Sequence, residues 1–196
     1  DVVVIAPELD LQTMSLYFSS EQTLMALDDD FSMARHLKMD DILSCVGGAW
    51  RFAQAKRDRH LGNDEIALDA IYRSEYFNEY GDFALERKEN VMKTYYDSNN
   101  RVALDLDEYD SALDEFLSYV NKYVKKCERR GATVYFSFCP MNELGLSEGS
   151  DLLARSEFRT YLEENLDCEI ISEIDDYILE AGYFFDTNFH LNDAGV

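Results

Sequence analysis

The chain has 196 residues, enough for one domain of ordinary size with a sizeable core. Hydrophobic residues make up 46% and aromatics 13%, a composition that excludes disorder for most of its length. Forty Asp and Glu against 18 Lys and Arg give a formal charge of −22, which repels phosphate backbones and anionic lipid heads and argues against a nucleic-acid partner.

The chain opens at Asp1 inside an apolar run and stops at Val196 just after a helix-start signal, so it reads as a piece of a longer protein. Val2-Val3-Val4-Ile5-Ala6 predicts a strand buried on both faces, as in a parallel sheet. A long link follows, about residues 9–132, far beyond an ordinary crossover. Its start predicts a helix, with Ser19 and Gln22 as a capping box ahead of Leu24, Met25 and Leu27. From Gly62 to Asn100 the pattern dissolves into scattered Tyr, Asn and charge. An insertion over about residues 60–105 is expected, packed over one end of the sheet as a lid, a substrate wall or decoration. Trp50 and the many tyrosines are assigned to core or lid packing, although aromatics lining a sugar site give the same pattern.

A strong helix comes next, capped by Asp110 or Ser111, with Leu113, Phe116, Leu117, Val120, Tyr123, Val124 and Cys127 along one face. Lys125, Lys126, Arg129 and Arg130 suit its carboxyl end, and Gly131 supplies the C-cap. Residues 133–138 predict a second buried strand, and a helix from Ser150 carries Ala154, Phe158, Tyr161, Leu162 and Leu166 on one face. Glu169-Ile170-Ile171 predicts a short third strand. The order strand–helix–strand–helix–strand predicts an α/β fold: a three-layer α/β/α sandwich around a mostly parallel sheet, in a single domain spanning 1–196. Cys45, Cys127, Cys139 and Cys168 contain no CxxC and are expected to be free, buried thiols.

Pro7 and Pro140 each follow a predicted strand and mark its carboxyl end, the edge where open α/β sheets bind ligands. Polar residues follow both stops: Glu8, then Asn142 and Glu143. These are candidate substrate contacts, or simply the polar loops that strand ends run into. Near the C-terminus an aromatic run delivers Asp186, then His190, then a turn for which Asp193 is the expected helix cap. A carboxylate four residues before a His can hold one ring nitrogen, setting the tautomer and raising the basicity of the other. A satisfied structural His has the same signature. Gly145-Leu146-Ser147-Glu148-Gly149 is a literal Gly-x-Ser-x-Gly, and Ser147, Asp175 or Asp176, and His190 follow in α/β-hydrolase order. A nucleophile elbow needs a strand running into the first Gly and a helix straight after the Ser; Pro140 and the helix start near Ser150 favour a loop instead. Asp28-Asp29-Asp30 and the group Asp105, Asp107, Glu108 and Asp110 read as solvated acidic surface. His36 and His60 have no ligand-spaced partner, so neither a metal nor another cofactor is expected.

The ending Asp186-Thr187-Asn188-Phe189-His190-Leu191-Asn192-Asp193-Ala194-Gly195 resembles the last block of the SGNH/GDSL hydrolases. The resemblance covers the three strands and this loop, and is closest to bacterial, often membrane-anchored members that handle acyl groups on cell-envelope polymers. It implies a flavodoxin-like sheet and a Ser–His–Asp triad in which His190 is the base and Asp186 its orienting acid. The substrate implied is an acylated carbohydrate or small ester, the location the cell surface, with any membrane anchor outside residues 1–196. The nucleophile block would lie upstream of Asp1. This sequence places the acid four residues before His190 where the family usually has three, and has Ala6-Pro7-Glu8 where the family has Gly-x-Asn-Asp. Those two departures suit the alternative, a non-catalytic relative that binds carbohydrate or a protein partner. Gly62-Asn63-Asp64 and Gly81-Asp82-Phe83 are chance likenesses to family blocks in a polar stretch. A sheet lacking its early strands would expose an apolar edge, which a partner segment or a homo-oligomer is expected to cover.

Overall fold

The computed structural model describes residues 1–10, 23, 24, 27, 34, 35, 37, 39–61, 76–79, 84–109 and 111–196. The capping box at Ser19 and Gln22, Met25, His36, Asp28–Asp30, Gly62–Asp64, Gly81–Phe83 and Asp110 lie outside these. The chain divides into two compact units, Asp1–Leu16 with Glu86–Val196, and Tyr17–Leu85. Residues 86–105, expected within the insertion, thus belong with the strands.

The first unit is α/β. Strand β1 (Val2–Ile5) pairs in parallel with β2 (Thr133–Phe136), and β2 pairs in parallel with β4 (Glu169–Ile170), in the order β1-β2-β4. Four consecutive β-branched residues make β1, and the register sets Val3 opposite Val134 and Ile5 opposite Phe136. Those pairs and Ile170 join one core. Val2 and Val4 point the other way and are 68% and 52% exposed. Strand β1 is therefore buried on one face, not both as its continuous apolar run predicts. A second parallel pair, β3 (Met141–Asn142) with β5 (Ile178–Leu179), has two residues a side. Sequence periodicity does not reveal elements that short.

The second unit contains helix α1 (Met39–His60), and Trp50 on it is 73% exposed rather than packed. Helix α2 (Ala112–Glu128) packs on β2 and buries Leu113, Phe116, Leu117, Val120 and Val124, the stripe its spacing predicts. Tyr123 falls off that stripe and is exposed, and the Ser111 side chain makes no capping hydrogen bond. At the far end Gly131 takes φ +82°, a left-handed conformation that costs a glycine little, and Ala132 N–H reaches back to Cys127 O. Helix α3 (Leu152–Asn165) is capped by Asp151, whose side chain accepts from the Leu153 and Ala154 amides. Phe158 and Leu162 bury one face of it, and Phe158 lies 5.7 Å from the Tyr109 ring. All four cysteines are free thiols; Cys45 and Cys139 are buried, Cys127 and Cys168 partly so. Burial pushes the Cys139 thiol up to about 12, with the nearby Glu8 charge adding to it, so this thiol is inert near neutral pH.

Candidate functional site

Parallel strands β1 and β2 run the same way, so Glu8 and residues 137–140 emerge at one sheet edge. The C-terminal loop brings its acid and His to Glu8 by a chain of local bonds. Phe184 and Leu191 form an antiparallel bridge, and Phe185 N–H donates to His190 O at 2.8 Å, pinching the loop closed. Phe184, Phe185 and Phe189 anchor it in apolar surroundings. The Thr187 hydroxyl accepts from the Phe189 and His190 amides, which fixes the turn between the acid and the ring. Asn192 locks the base of the pinch: its side-chain amide donates to Gly182 O and Phe184 O, and its oxygen accepts from the Ala194 and Gly195 amides. Asp193 binds Arg87 through the Arg87 amide and a longer guanidinium contact, and residues 193–195 form a turn.

The pinch sets Asp186 Oδ1 3.0 Å from His190 Nδ1, while Glu8 Oε1 stands 3.4 Å from Nε2. The imidazole is therefore flanked by a carboxylate at each nitrogen, and 37% of it remains exposed. The Asp186 hydrogen bond and then the Glu8 one favour the charged ring more than burial disfavours it, raising His190 from 6.5 to about 9. At neutral pH the ring is an imidazolium that donates on both sides. Spacing alone indicated the Asp186 contact; the Glu8 contact depends on the sheet edge meeting the loop.

Asn142 does not join these three. It is 0% exposed, and its side chain donates to Tyr95 O and to Asn188 Oδ1 while accepting from the Leu144 amide. No surface of Asn142 is open to a substrate, so its role is to build the scaffold. Asn188, which sequence reasoning did not single out, is its buried partner. The Asn188 amide donates to Asp97 O and Asn100 O, and its oxygen also accepts from the Asp97 amide. The available signal was a polar residue set between the buried aromatics Phe185 and Phe189.

The Gly-x-Ser-x-Gly stretch has a packing explanation. A Cβ on Gly145 would lie 2.5 Å from Asn188 Nδ2, and one on Gly149 would lie 2.1 Å from Asp105 Oδ2. Ser147 is buried with its hydroxyl on Ser150 at 2.7 Å, and α3 begins only at Leu152. Asp175 is ion-paired with Arg155 at 3.0 Å. Asp105 caps the short 3-10 helix Leu106–Glu108, and His60 is exposed. Among the described residues no three His, Cys, Asp or Glu side chains gather as metal ligands, and no helix is long and apolar enough to cross a membrane.

No family model, curated protein or solved structure matches the chain.

Proposed function

We propose that this chain carries the acid and histidine of an SGNH-like ester hydrolase or acyltransferase that acts on acylated carbohydrate or cell-envelope polymer at the cell surface. In this reading the strands are the later part of a three-layer, flavodoxin-like sheet. The observation that carries it is the Asp186–His190 pair, bonded at 3.0 Å on a doubly locked loop beside a strand's carboxyl end. In the neutral ring Asp186 takes the Nδ1 hydrogen bond and leaves the Nε2 lone pair available. Nε2 then removes the proton of a serine hydroxyl, placed upstream of Asp1 by the resemblance, as its oxygen bonds to the ester carbonyl carbon. The carbonyl π pair moves to oxygen. When it returns, the leaving alkoxide departs with the proton from the imidazolium. Water or an acceptor hydroxyl repeats the cycle and frees the serine.

Glu8 sets the condition for that chemistry. Its carboxylate stands at Nε2, where the serine hydroxyl must come, so the base works only when the incoming hydroxyl displaces it. The same contact favours the second reading, a non-catalytic SGNH-like scaffold in which Glu8–His190–Asp186 is a structural ion triad. Hydrolysis of an acetylated oligosaccharide by the protein extended upstream of Asp1 separates the two. Folded His190→Ala should lose about 100-fold or more in rate, and Glu8→Gln should raise the rate near neutral pH. Full activity in folded His190→Ala excludes the catalytic role, and inactivity of all forms supports the scaffold.

A further inference from the structure

A cleft of about 480 Å³ opens in the first unit, lined by Tyr96, Asp97, Ser98, Arg101, Leu144, Gly145, Leu146 and Glu148. None of the Glu8, Asp186 and His190 side chains lines it. Its wall is held rigid from beneath. Asn188 clamps Asp97 through both backbone groups and also holds Asn100 O, while Asn142 holds Tyr95 O at 2.7 Å. Tyr95 is kept at φ +59°, the left-handed region that an aromatic residue rarely occupies, and is the only non-glycine residue with positive φ among those described. Such conformations persist where surrounding structure over-determines them, and they cluster at ligand clamps. The next residue, Tyr96, lines the cleft with its side chain partly exposed.

We infer that this cleft binds a sugar unit of an uncharged carbohydrate chain. The lining chemistry selects the ligand class. Tyr96 offers an aromatic surface for the apolar face of a ring, beside the apolar Leu144 and Leu146. Arg101 is held by Glu108 at 3.0 Å and presents a fixed guanidinium fork, a donor for hydroxyl oxygens. Ser98 both donates and accepts, and the carboxylates of Asp97 and Glu148 accept from hydroxyls; the Asp97 carboxylate is itself fixed by the Asn99 amide. Two carboxylates against one guanidinium, on a chain of formal charge −22, disfavour phosphates and other anions. A wholly apolar ligand would strip water from five polar side chains without replacing their hydrogen bonds.

This goes beyond the hydrolase reading, because the binding does not need His190. If both hold, Asn188 links the cleft wall to the loop carrying His190, so a chain held in the cleft is anchored to the same rigid frame as the base. The test is saturation-transfer NMR of the full chain with chitotriose, cellotriose and maltotriose, each at millimolar concentration. At least one trisaccharide should receive saturation, and Tyr96→Ala should weaken its binding about fivefold with the far-UV CD spectrum unchanged. Glu148→Gln, at an exposed position, provides a second variant that should also weaken binding while keeping the fold. Transfer to none of the three, or equal affinity in wild type and both variants, overturns the inference. Binding that survives in His190→Ala supports it even where esterase activity is absent, which keeps its failure distinct from failure of the hydrolase reading.

Discussion

Two carboxylates share one imidazole at His190, and their contributions are separable. Removing the Glu8 charge by Glu8→Gln leaves the Asp186 bond and should lower His190 from about 9 toward its ordinary 6.5, measured by NMR titration of the ring protons. A midpoint unchanged at about 9 would mean that Glu8 does not govern the ring. The sign for stability follows from the raised value. The stabilisation is complete below the unfolded value of about 6.5 and is lost as pH rises through about 9. Because the ring is more than a third exposed, solvent screening limits the effect to about 1 kcal/mol or less. Denaturation from pH 6 to 10 should show this decline in wild type and not in His190→Ala; parallel curves would contradict it. Tyr95 gives a prediction of opposite sign: Tyr95→Gly should stabilise by up to about 1 kcal/mol, since glycine adopts its left-handed backbone without steric cost. A clear loss of stability in urea melts would show that the Tyr95 ring contributes more than its backbone costs.

At the scale of elements, legibility followed periodicity. The α2 stripe from Leu113 to Val124 was readable because burial repeats at helical spacing along it, and β1 and β2 because their β-branched and aromatic runs are continuous, although such a run does not tell that β1 buries one face only. What the sequence did not reveal depends on individual side chains. The cleft loop is held by Asn142 and Asn188, whose partners there, Tyr95 and Asp97, lie more than 40 residues away and leave no local pattern. At the end of the loop the turn amides go to Asn192 while Asp193 is drawn to Arg87, a division that local spacing does not indicate. For the candidate site, the Asp186–His190 contact was legible from one-turn spacing, whereas the burial of Asn142 and the reach of Glu8 were not. Elements also differ in what they contribute. Asp151→Ala removes a cap that serves two amides at the start of α3 and should cost about 1 kcal/mol. Phe158→Ala empties a fully buried site beside Tyr109 and should cost about 3–5 kcal/mol. Chemical denaturation of both variants checks the order, and an equal cost would place α3 outside the core.

For the whole molecule, the parallel sheet and the pinched loop put Glu8, Asp186 and His190 at the sheet's carboxyl edge, and the chain carries a formal charge of −22. That charge repels itself, so added salt should stabilise the fold: the melting temperature is expected to rise between 10 and 150 mM salt, on the scale over which the Debye length shrinks from about 30 to about 8 Å. A fall would indicate that favourable ion pairs outweigh the repulsion. Strand β1 is an edge strand among the described residues, and Val2 and Val4 are exposed on one face of it. His190 and Asp186 are proposed to activate a serine supplied from upstream of Asp1. Labelling that longer protein with a fluorophosphonate, beside residues 1–196 alone, tests it most directly, with peptide mass spectrometry to place the adduct. An adduct is expected on a serine before Asp1, lost in folded His190→Ala, and none on residues 1–196. An adduct on Ser147, or no adduct on folded protein of either length, would contradict it.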